Sequence, residues 1–354
     1  MIEKNMLELL QSAAGGQVSD IYVIAGLPVS FRKNQKIDQE VTDKLMPEDT
    51  EVLLQQLYEL ADHRSMDTLR KTGDDDFSFS VQELSRFRVS AFKQRGSLSA
   101  VIRVIAFYLP DYRNLHIPDS VMNLASSRQG MVLVTGSAGS GKSTTLACII
   151  DRINRTRQSH VITLEDPLEF LHKHNKSIVT QREIGTDTDS YVKALRAALR
   201  QSPDIILLGE MRDYETMDVA MTAAETGHML FSTLHTMGAA NTIERIIDVF
   251  PANQQRQIAV QLSMVLHTVI SQQLVPALDG SLIPAFEIMT VTPAIRAMIR
   301  DNKVHQIDGL IAASCREDMC SMDYSLAKLC QNNQISRETA LEYSSNPGIL
   351  NKKI

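Results

Sequence analysis

The feature that most constrains the fold is a glycine-rich stretch that reads Gly136-Ser137-Ala138-Gly139-Ser140-Gly141-Lys142-Ser143. It matches the pattern G-x-x-x-x-G-K-[ST] at every fixed position. The apolar run at residues 131–135 predicts a buried strand before it, and residues 144–150 predict a helix after it. A chance glycine-rich turn would lack these flanks. The sequence therefore predicts a phosphate-binding loop that holds a nucleoside triphosphate.

The residue types in this loop suit a triphosphate with its metal ion. Its glycines let the backbone curl so that N–H groups and the helix N-terminus face a phosphate. Lys142 supplies positive charge for the β- and γ-phosphates, and the Ser143 hydroxyl is placed to bind Mg²⁺. Residues 136–144, ending with Thr144, are predicted to bind the nucleotide. The predicted cofactors are ATP and Mg²⁺.

Acidic side chains follow two further apolar runs. Residues 205–208 form a predicted buried strand that ends at Glu210, and residues 162–164 form another that ends at Glu165 and Asp166. Parallel sheets bind ligands at the carboxyl ends of their strands. Glu210 is therefore the predicted catalytic base, and Glu165 is also predicted to be catalytic; both are expected to reach the metal ion through water. Asp166 is predicted to be among the nucleotide-binding residues. The alternative for the segment with Glu165 and Asp166 is a solvated acidic turn.

Histidines stand on both sides of a fourth predicted strand, at residues 229–233. His235 follows the strand at its ligand-facing end and is predicted to sense the γ-phosphate. His228 precedes the strand, and we expect it to orient or link subunits; it is also counted among the nucleotide-binding residues. A single histidine at a strand end is more often structural than catalytic.

The order of helix and strand signals predicts several domains. Residues 1–107 mix helical and strand signals, which predicts a small α+β domain with an antiparallel sheet. Residues 108–118 are polar and bracketed by prolines, as in a linker. Strands and helices alternate over residues 119–290, which predicts a mostly parallel sheet covered on both faces. Residues 291–354 are predicted to be helical.

Composition excludes some classes of function. The formal net charge is −6 and the sequence pI is about 5.9, which argues against a bulk electrostatic grip on nucleic acid. No apolar run approaches the ~18 residues of a membrane-spanning helix. The N-terminus lacks the basic start and apolar centre of a signal peptide. We expect a cytoplasmic protein.

Four sequence boxes together resemble those of the secretion-superfamily ATPases. They are the phosphate-binding loop, ITLEDPLEF, LLGEMRD and TAAETGHMLFSTLHT, in this order. Within that superfamily the chain is identified as a member of the PilT family, the type IV pilus retraction ATPases. The resemblance extends from residue 19 to residue 347.

This resemblance implies a RecA-like P-loop ATPase domain, a smaller N-terminal α+β domain that is PAS-like, and a helical C-terminal extension. It implies a homohexamer that works with a platform protein of the inner membrane, at the inner face of the cytoplasmic membrane and without inserting into it. Arg88 and Arg103 lie on adjacent predicted strands, and periodicity alone would place them on a solvated sheet face. The resemblance instead implies that they reach the phosphates of a nucleotide between subunits.

Some positions depart from the family pattern. Tyr22 and Met264 stand where a histidine and a glutamate are usual, and Ala297 and Asp301 replace an asparagine and a glutamate in the motif AIRNLIRE. None of the four lies in the nucleotide boxes.

Four alternatives follow from these features. A divergent paralogue of the retraction motor is the first of them. A pilus assembly or type II secretion ATPase is the second, although the chain lacks their tetracysteine zinc insertion. A nucleic-acid motor is the third, but only 5% of the residues are aromatic. A regulatory module without turnover is the fourth, and Glu210 and the two arginines argue against it.

Overall fold

The computed structural model describes residues 5–15, 18–33, 36–39, 43–82, 84–105, 109–314, 316 and 318–354. The chain divides into two compact units. The N-terminal unit comprises Met1–Tyr108 and Glu169–Leu171, and the C-terminal unit comprises Leu109–Leu168 and His172–Ile354. Among the described residues, no helix has both the length and the apolar character needed to cross a membrane.

The N-terminal unit is an antiparallel sheet covered by helices. Its sheet has the order β3-β2-β1-β6-β5-β4. The strands are β1 (Val18–Val23), β2 (Ser30–Lys33), β3 (Lys36–Gln39), β4 (Asp74–Val81), β5 (Ser85–Gln94) and β6 (Ser97–Ile105). The helices are α1 (Met6–Gly15), α2 (Pro47–Leu60) and α3 (Asp67–Thr72). Apolar residues alternate along β4 and β5, so one face of the sheet is buried, and the apolar sides of α1 and α2 join the same core.

The C-terminal unit is built on an eight-stranded sheet of order β14-β13-β12-β7-β11-β10-β8-β9. The strands from β12 to β9 are parallel, and β13 and β14 are antiparallel at one edge. The strands are β7 (Gly130–Thr135), β8 (His160–Glu165), β9 (Ile178–Glu183), β10 (Ile205–Leu208), β11 (Met229–Leu234), β12 (Leu266–Pro276), β13 (Leu282–Thr290) and β14 (Met319–Cys320).

Helices cover both faces of this sheet. Helix α5 packs on one face, and helices α6 to α11 contribute to the core on the other. The helices are α4 (Asp119–Met122), α5 (Lys142–Thr156), α6 (Tyr191–Ala198), α7 (Tyr214–Glu225), α8 (Ala239–Asp248), α9 (Gln255–Val265), α10 (Pro293–Arg300), α11 (Ile307–Ala313), α12 (Met322–Gln331), α13 (Arg337–Glu342) and α14 (Pro347–Leu350). Short 3₁₀ turns occupy Asn123–Ser126 and Val304–Gln306.

The direction of the strands positions the predicted site. Because β7, β8, β10 and β11 are parallel, their carboxyl ends meet at one edge of the sheet. The phosphate-binding loop follows β7, and the predicted acids and His235 follow the other strands at that edge.

Candidate nucleotide-binding and hydrolysis site

The phosphate-binding loop connects β7 to α5 and has a backbone that depends on glycine. Gly136, Gly139 and Gly141 have φ values of +143°, +76° and +86°, a region that other residues rarely adopt. Gly141 is the residue before the first turn of α5, in the left-handed conformation. The loop therefore turns its N–H groups and the start of the helix toward one place, as phosphate binding requires.

Buried polar groups line the inside of this loop. Lys142 is only 8% exposed, and its Nζ donates to the carbonyl oxygens of Gly136 at 2.9 Å and Ser137 at 2.7 Å. Ser140 is 2% exposed, and its Oγ has no hydrogen-bond partner among the described residues. A buried hydroxyl without a partner is unfavourable unless a ligand satisfies it. Ser143 and Thr144 are half-buried in the first turn of α5. These residues fit a bound polyphosphate.

Gln272 of β12 packs against the phosphate-binding loop and the start of α5. The side chain is 3% exposed, and its Oε1 accepts a hydrogen bond of 2.8 Å from the hydroxyl of Thr145 in α5. A Cβ atom added to Gly136 would lie 2.3 Å from the backbone oxygen of Gln272. A Cβ atom added to Gly141 would lie 2.8 Å from its Nε2. Both glycines are therefore required by close packing against Gln272 as well as by their backbone conformation.

Glu210 and His235 meet at the carboxyl ends of neighbouring strands. Glu210 is 8% exposed, and its Oε2 lies 3.5 Å from Nε2 of His235, the residue after β11. The same oxygen lies 2.6 Å from Nε of Arg212, whose side chain is largely exposed. The structure thus brings together two of the predicted catalytic residues and adds a cation that the prediction did not include.

Glu165 and Asp166 lie beside Glu210, since β8 and β10 are adjacent. A Cβ atom added to Gly209 would lie 3.3 Å from the Cα of Glu165 and 3.0 Å from the hydroxyl oxygen of Tyr191. Burial raises the pKa of Tyr191, and the nearby carboxylates of Glu210, Asp166 and Glu165 raise it further. The three predicted acids therefore form one negatively charged region around the Tyr191 hydroxyl.

This donor set suits a metal ion held mainly by phosphates. Among the described residues, no three His, Cys, Asp or Glu side chains are grouped closely enough to bind a metal ion by themselves. Mg²⁺ prefers to keep several waters and to bind through one or two protein oxygens plus substrate phosphates. Ser143 and carboxylates acting through water fit that preference.

His228 lies apart from the rest of the predicted binding residues. It precedes β11, whereas the phosphate-binding loop adjoins the other end of that strand, so they are separated by about 20 Å along the six-residue strand. Its Nδ1 lies 3.0 Å from the carbonyl oxygen of Ala223. This distance places His228 out of reach of a nucleotide bound to the loop of its own chain.

Arg88 and Arg103 are direct neighbours in the N-terminal unit. They face each other across the β5–β6 pair, and Asp20 of β1 is opposite Arg103 in the next pair. Arg103 Nε donates to Asp20 Oδ1 at 3.0 Å, and Arg32 Nε lies 3.7 Å from Oδ2 of the same carboxylate. Two arginines thus contact one carboxylate, and Arg88 lies beside them across from Arg103, which leaves this group with an excess of positive charge suited to an anion.

Together, the glycine-rich loop, the acids at strand ends and the arrangement of the sheet define a P-loop ATPase of the secretion type. The sequence profile of the family described as "Type II/IV secretion system protein" matches residues 1–335. The chain belongs to this family, and within it to the pilus retraction ATPases.

Two curated relatives and one solved structure cover nearly the whole chain. The type IV pilus retraction ATPase PilT of Pseudomonas aeruginosa is 41% identical over 344 residues, which is 97% of this chain and 99% of that protein. The type IV pilus ATPase PilU of the same species is 36% identical over 96% of this chain and 88% of that protein. The crystal structure of the pilus retraction motor PilT with bound ADP has a TM-score of 0.90 and 43% identity, covering 99% of this chain and 100% of that one.

These comparisons confirm the predicted family, the predicted fold class and the prediction of an ATPase. Sequence reasoning missed Gln272, Tyr191 and Arg212 as members of the site. Arg212 stands two residues after Glu210, so the charged turn was a usable signal. Gln272 comes from a strand 127 residues after Thr145, and no local pattern links the two.

Proposed function

We propose that this chain forms a homohexamer that hydrolyses ATP with Mg²⁺ to drive retraction of a type IV pilus. The observation that supports this most is the similarity to PilT over nearly the full length of both proteins. In this proposal residues 119–290 hydrolyse ATP, and residues 1–107 supply the arginines that contact the phosphates. Residues 108–118 are the linker, and residues 291–354 couple hydrolysis to movement of the pilus.

Each residue of the site has a proposed role in hydrolysis. Lys142 and the loop N–H groups hold the β- and γ-phosphates, and Ser143 holds the metal ion. When bound, Mg²⁺ neutralises the charge that develops on the phosphate oxygens. Glu210 orients and polarises the attacking water, with Glu165 and Asp166 in support. His235, 3.5 Å from Glu210, reports whether a γ-phosphate is present.

Arg88 and Arg103 are proposed to act on a nucleotide held by the C-terminal unit of an adjacent subunit. Their adjacency and the excess positive charge of their sheet face support this role. His228 is proposed to link subunits, as predicted, rather than to bind nucleotide. In a closed ring, every such interface would complete one site.

Helix α10 is proposed to transmit the motion that follows ATP hydrolysis to a platform protein of the inner membrane. Ile295 and Ile299 of this helix are fully buried, while Arg296 and Arg300 are exposed. The exposed charges face away from the core and are available to a neighbouring subunit or to the platform protein. A divergent paralogue remains the second candidate, since PilU is also a relative over nearly the whole chain.

Reversal of one exposed charge tests the proposed function. Arg296→Glu is expected to leave ATP hydrolysis within about twofold of wild type, because an exposed surface residue contributes little to folding. The same variant is expected to abolish twitching motility and leave cells with abundant pili. Arg155→Glu reverses the charge of an exposed arginine on a different helix, α5, and is the matched control. Cells that carry it should twitch normally. Normal twitching by cells carrying Arg296→Glu would contradict the proposed role of α10.

A further inference from the structure

Glu287, in β13, lies beside the beginnings of two helices. Its Oε1 accepts a hydrogen bond of 2.8 Å from the backbone N–H of Ala239, the first residue of α8. Met322, the first residue of α12, lines the same cavity as Glu287, and its backbone N–H favours the charged form of this carboxylate. The first N–H groups of a helix lack partners within the helix and carry partial positive charge. One side chain therefore interacts with the N-termini of both α8 and α12.

Ser271 adds a second bond at the same place. It is paired with Glu287 across β12 and β13, and its Oγ accepts a hydrogen bond of 3.0 Å from the N–H of Gly238. Gly238 has a φ of +84°, so the chain makes a turn here that glycine adopts readily. Ser271 and Glu287 thus fix where α8 begins.

The segment fixed in this way carries His235. Two residues separate His235 from Gly238. The Thr242 hydroxyl, in the first turn of α8, donates to the carbonyl oxygen of Gly238 at 2.7 Å and lies 2.7 Å from the hydroxyl of Thr236. The segment that follows His235 is therefore hydrogen-bonded to the start of α8, and we expect a shift of α8 to move His235 relative to Glu210.

We propose that Glu287 is a positioning residue that couples α12, in the C-terminal helical region, to the contact between His235 and Glu210. This inference rests on the proposed function, because it takes those two side chains to act in hydrolysis. Side chains alternate along β12, so Ser271 faces away from the side on which Gln272 supports the phosphate-binding loop. Glu287 therefore affects turnover rather than nucleotide affinity.

The chemistry of Glu287 suits such a role. Burial raises its pKa, while the backbone N–H groups at the two helix N-termini oppose that rise. A cavity of about 560 Å³ lies beside it, lined also by Asp308 of α11 and Asp323 of α12. The carboxylate thus stands where α8, α11 and α12 converge, and movement of the C-terminal helices reaches it directly.

Glu287→Gln is the first test. Glutamine keeps the shape of the side chain but removes its negative charge, and its NH₂ group, which is a donor, cannot accept a hydrogen bond from either helix N-terminus. We expect kcat for ATP to fall about tenfold, the scale of a small misplacement of reacting groups, with KM changed less than about twofold. Asp308→Asn removes a charge from the same cavity without touching either helix N-terminus, and its kcat should stay within about twofold of wild type.

A double-mutant cycle separates coupling from a general loss of structure. If Glu287 acts through His235, adding Glu287→Gln to His235→Ala should change kcat by less than about twofold. If the two substitutions act independently, so that their effects on kcat multiply in the double variant, the proposal is overturned. Should Glu287→Gln fail to fold, Ser271→Ala replaces it in the same cycle with the same criterion. Near-normal turnover by Glu210→Gln would contradict the proposed role of Glu210 in hydrolysis, on which this inference rests, whereas normal turnover by Glu287→Gln alone would contradict only the coupling.

Discussion

The support that Gln272 gives to the phosphate-binding loop leads to a quantitative prediction. Gln272→Leu keeps the bulk of the side chain but leaves the buried Thr145 hydroxyl without its acceptor at 2.8 Å. A buried polar group left unsatisfied costs roughly 1–3 kcal/mol. Because a helical threonine hydroxyl can turn to a carbonyl oxygen of its own helix, we expect the low end of that range. Because the free variant relieves that cost by relaxing the loop and must restore the phosphate-binding conformation when ATP binds, a cost of about 1.4 kcal/mol appears as about tenfold weaker ATP binding.

A titration with a fluorescent ATP analogue measures this loss. Gln273→Leu is the matched control, since this neighbouring glutamine faces the other side of β12 and lines the cavity beside Glu287. Thr145→Val added to Gln272→Leu removes both partners of the hydrogen bond, so the double variant should bind ATP more tightly than Gln272→Leu alone. The proposed support of the loop by Gln272 is refuted if Gln272→Leu and Gln273→Leu bind ATP equally well. It is also refuted if the losses of binding free energy caused by Gln272→Leu and Thr145→Val add in the double variant.

Three further predictions concern the acids and the arginines. Glu210→Gln should bind ATP normally but hydrolyse it roughly 10²-fold more slowly, as after loss of a general base, and a steady-state phosphate assay with Glu215→Gln as control checks this. Mixing Arg103→Ala subunits with Lys142→Ala subunits should restore activity above either parent, because some mixed interfaces contain both groups; no recovery in rings shown to be mixed would count against a shared site. Burial acts to raise the pKa of Asp75, but hydrogen bonds from Arg64 and Tyr58 outweigh it and lower that pKa. Asp75 therefore stabilises the folded state above its unfolded pKa of about 3.9 and ceases to do so as the pH falls through its lower folded value, so the melting temperatures of wild type and Asp75→Asn should converge in acid.

Local sequence patterns predicted the parts of the fold that depend on neighbouring residues. The strand, loop and helix around Lys142 follow from glycine spacing and apolar runs, and the parallel sheet follows from the alternation of strand and helix signals. The buried side of α10, with Ile295 and Ile299, also follows the helical spacing of apolar residues in the sequence. These features lie within one element or between consecutive ones.

Features that join distant parts of the chain were not predictable in this way. The strands β2, β3 and β9 are short or polar, and their pairing partners decide that they are strands. The bonds from Gln272 to Thr145 and from Glu287 to Ala239 span 127 and 48 residues. The position of His228 was also not predictable. The sequence shows that it precedes a strand, but only the direction of β11 in the sheet shows that it lies at the end away from the loop.

This ATPase is proposed to remove subunits from a pilus rather than to add them. Deletion of its gene in the parent cell, followed by electron microscopy of surface pili, distinguishes the two directions. We predict cells with abundant pili that do not twitch, and recovery of twitching with the wild-type gene but not with Lys142→Ala. Cells without pili after the deletion would identify an assembly motor and contradict the proposed role in retraction.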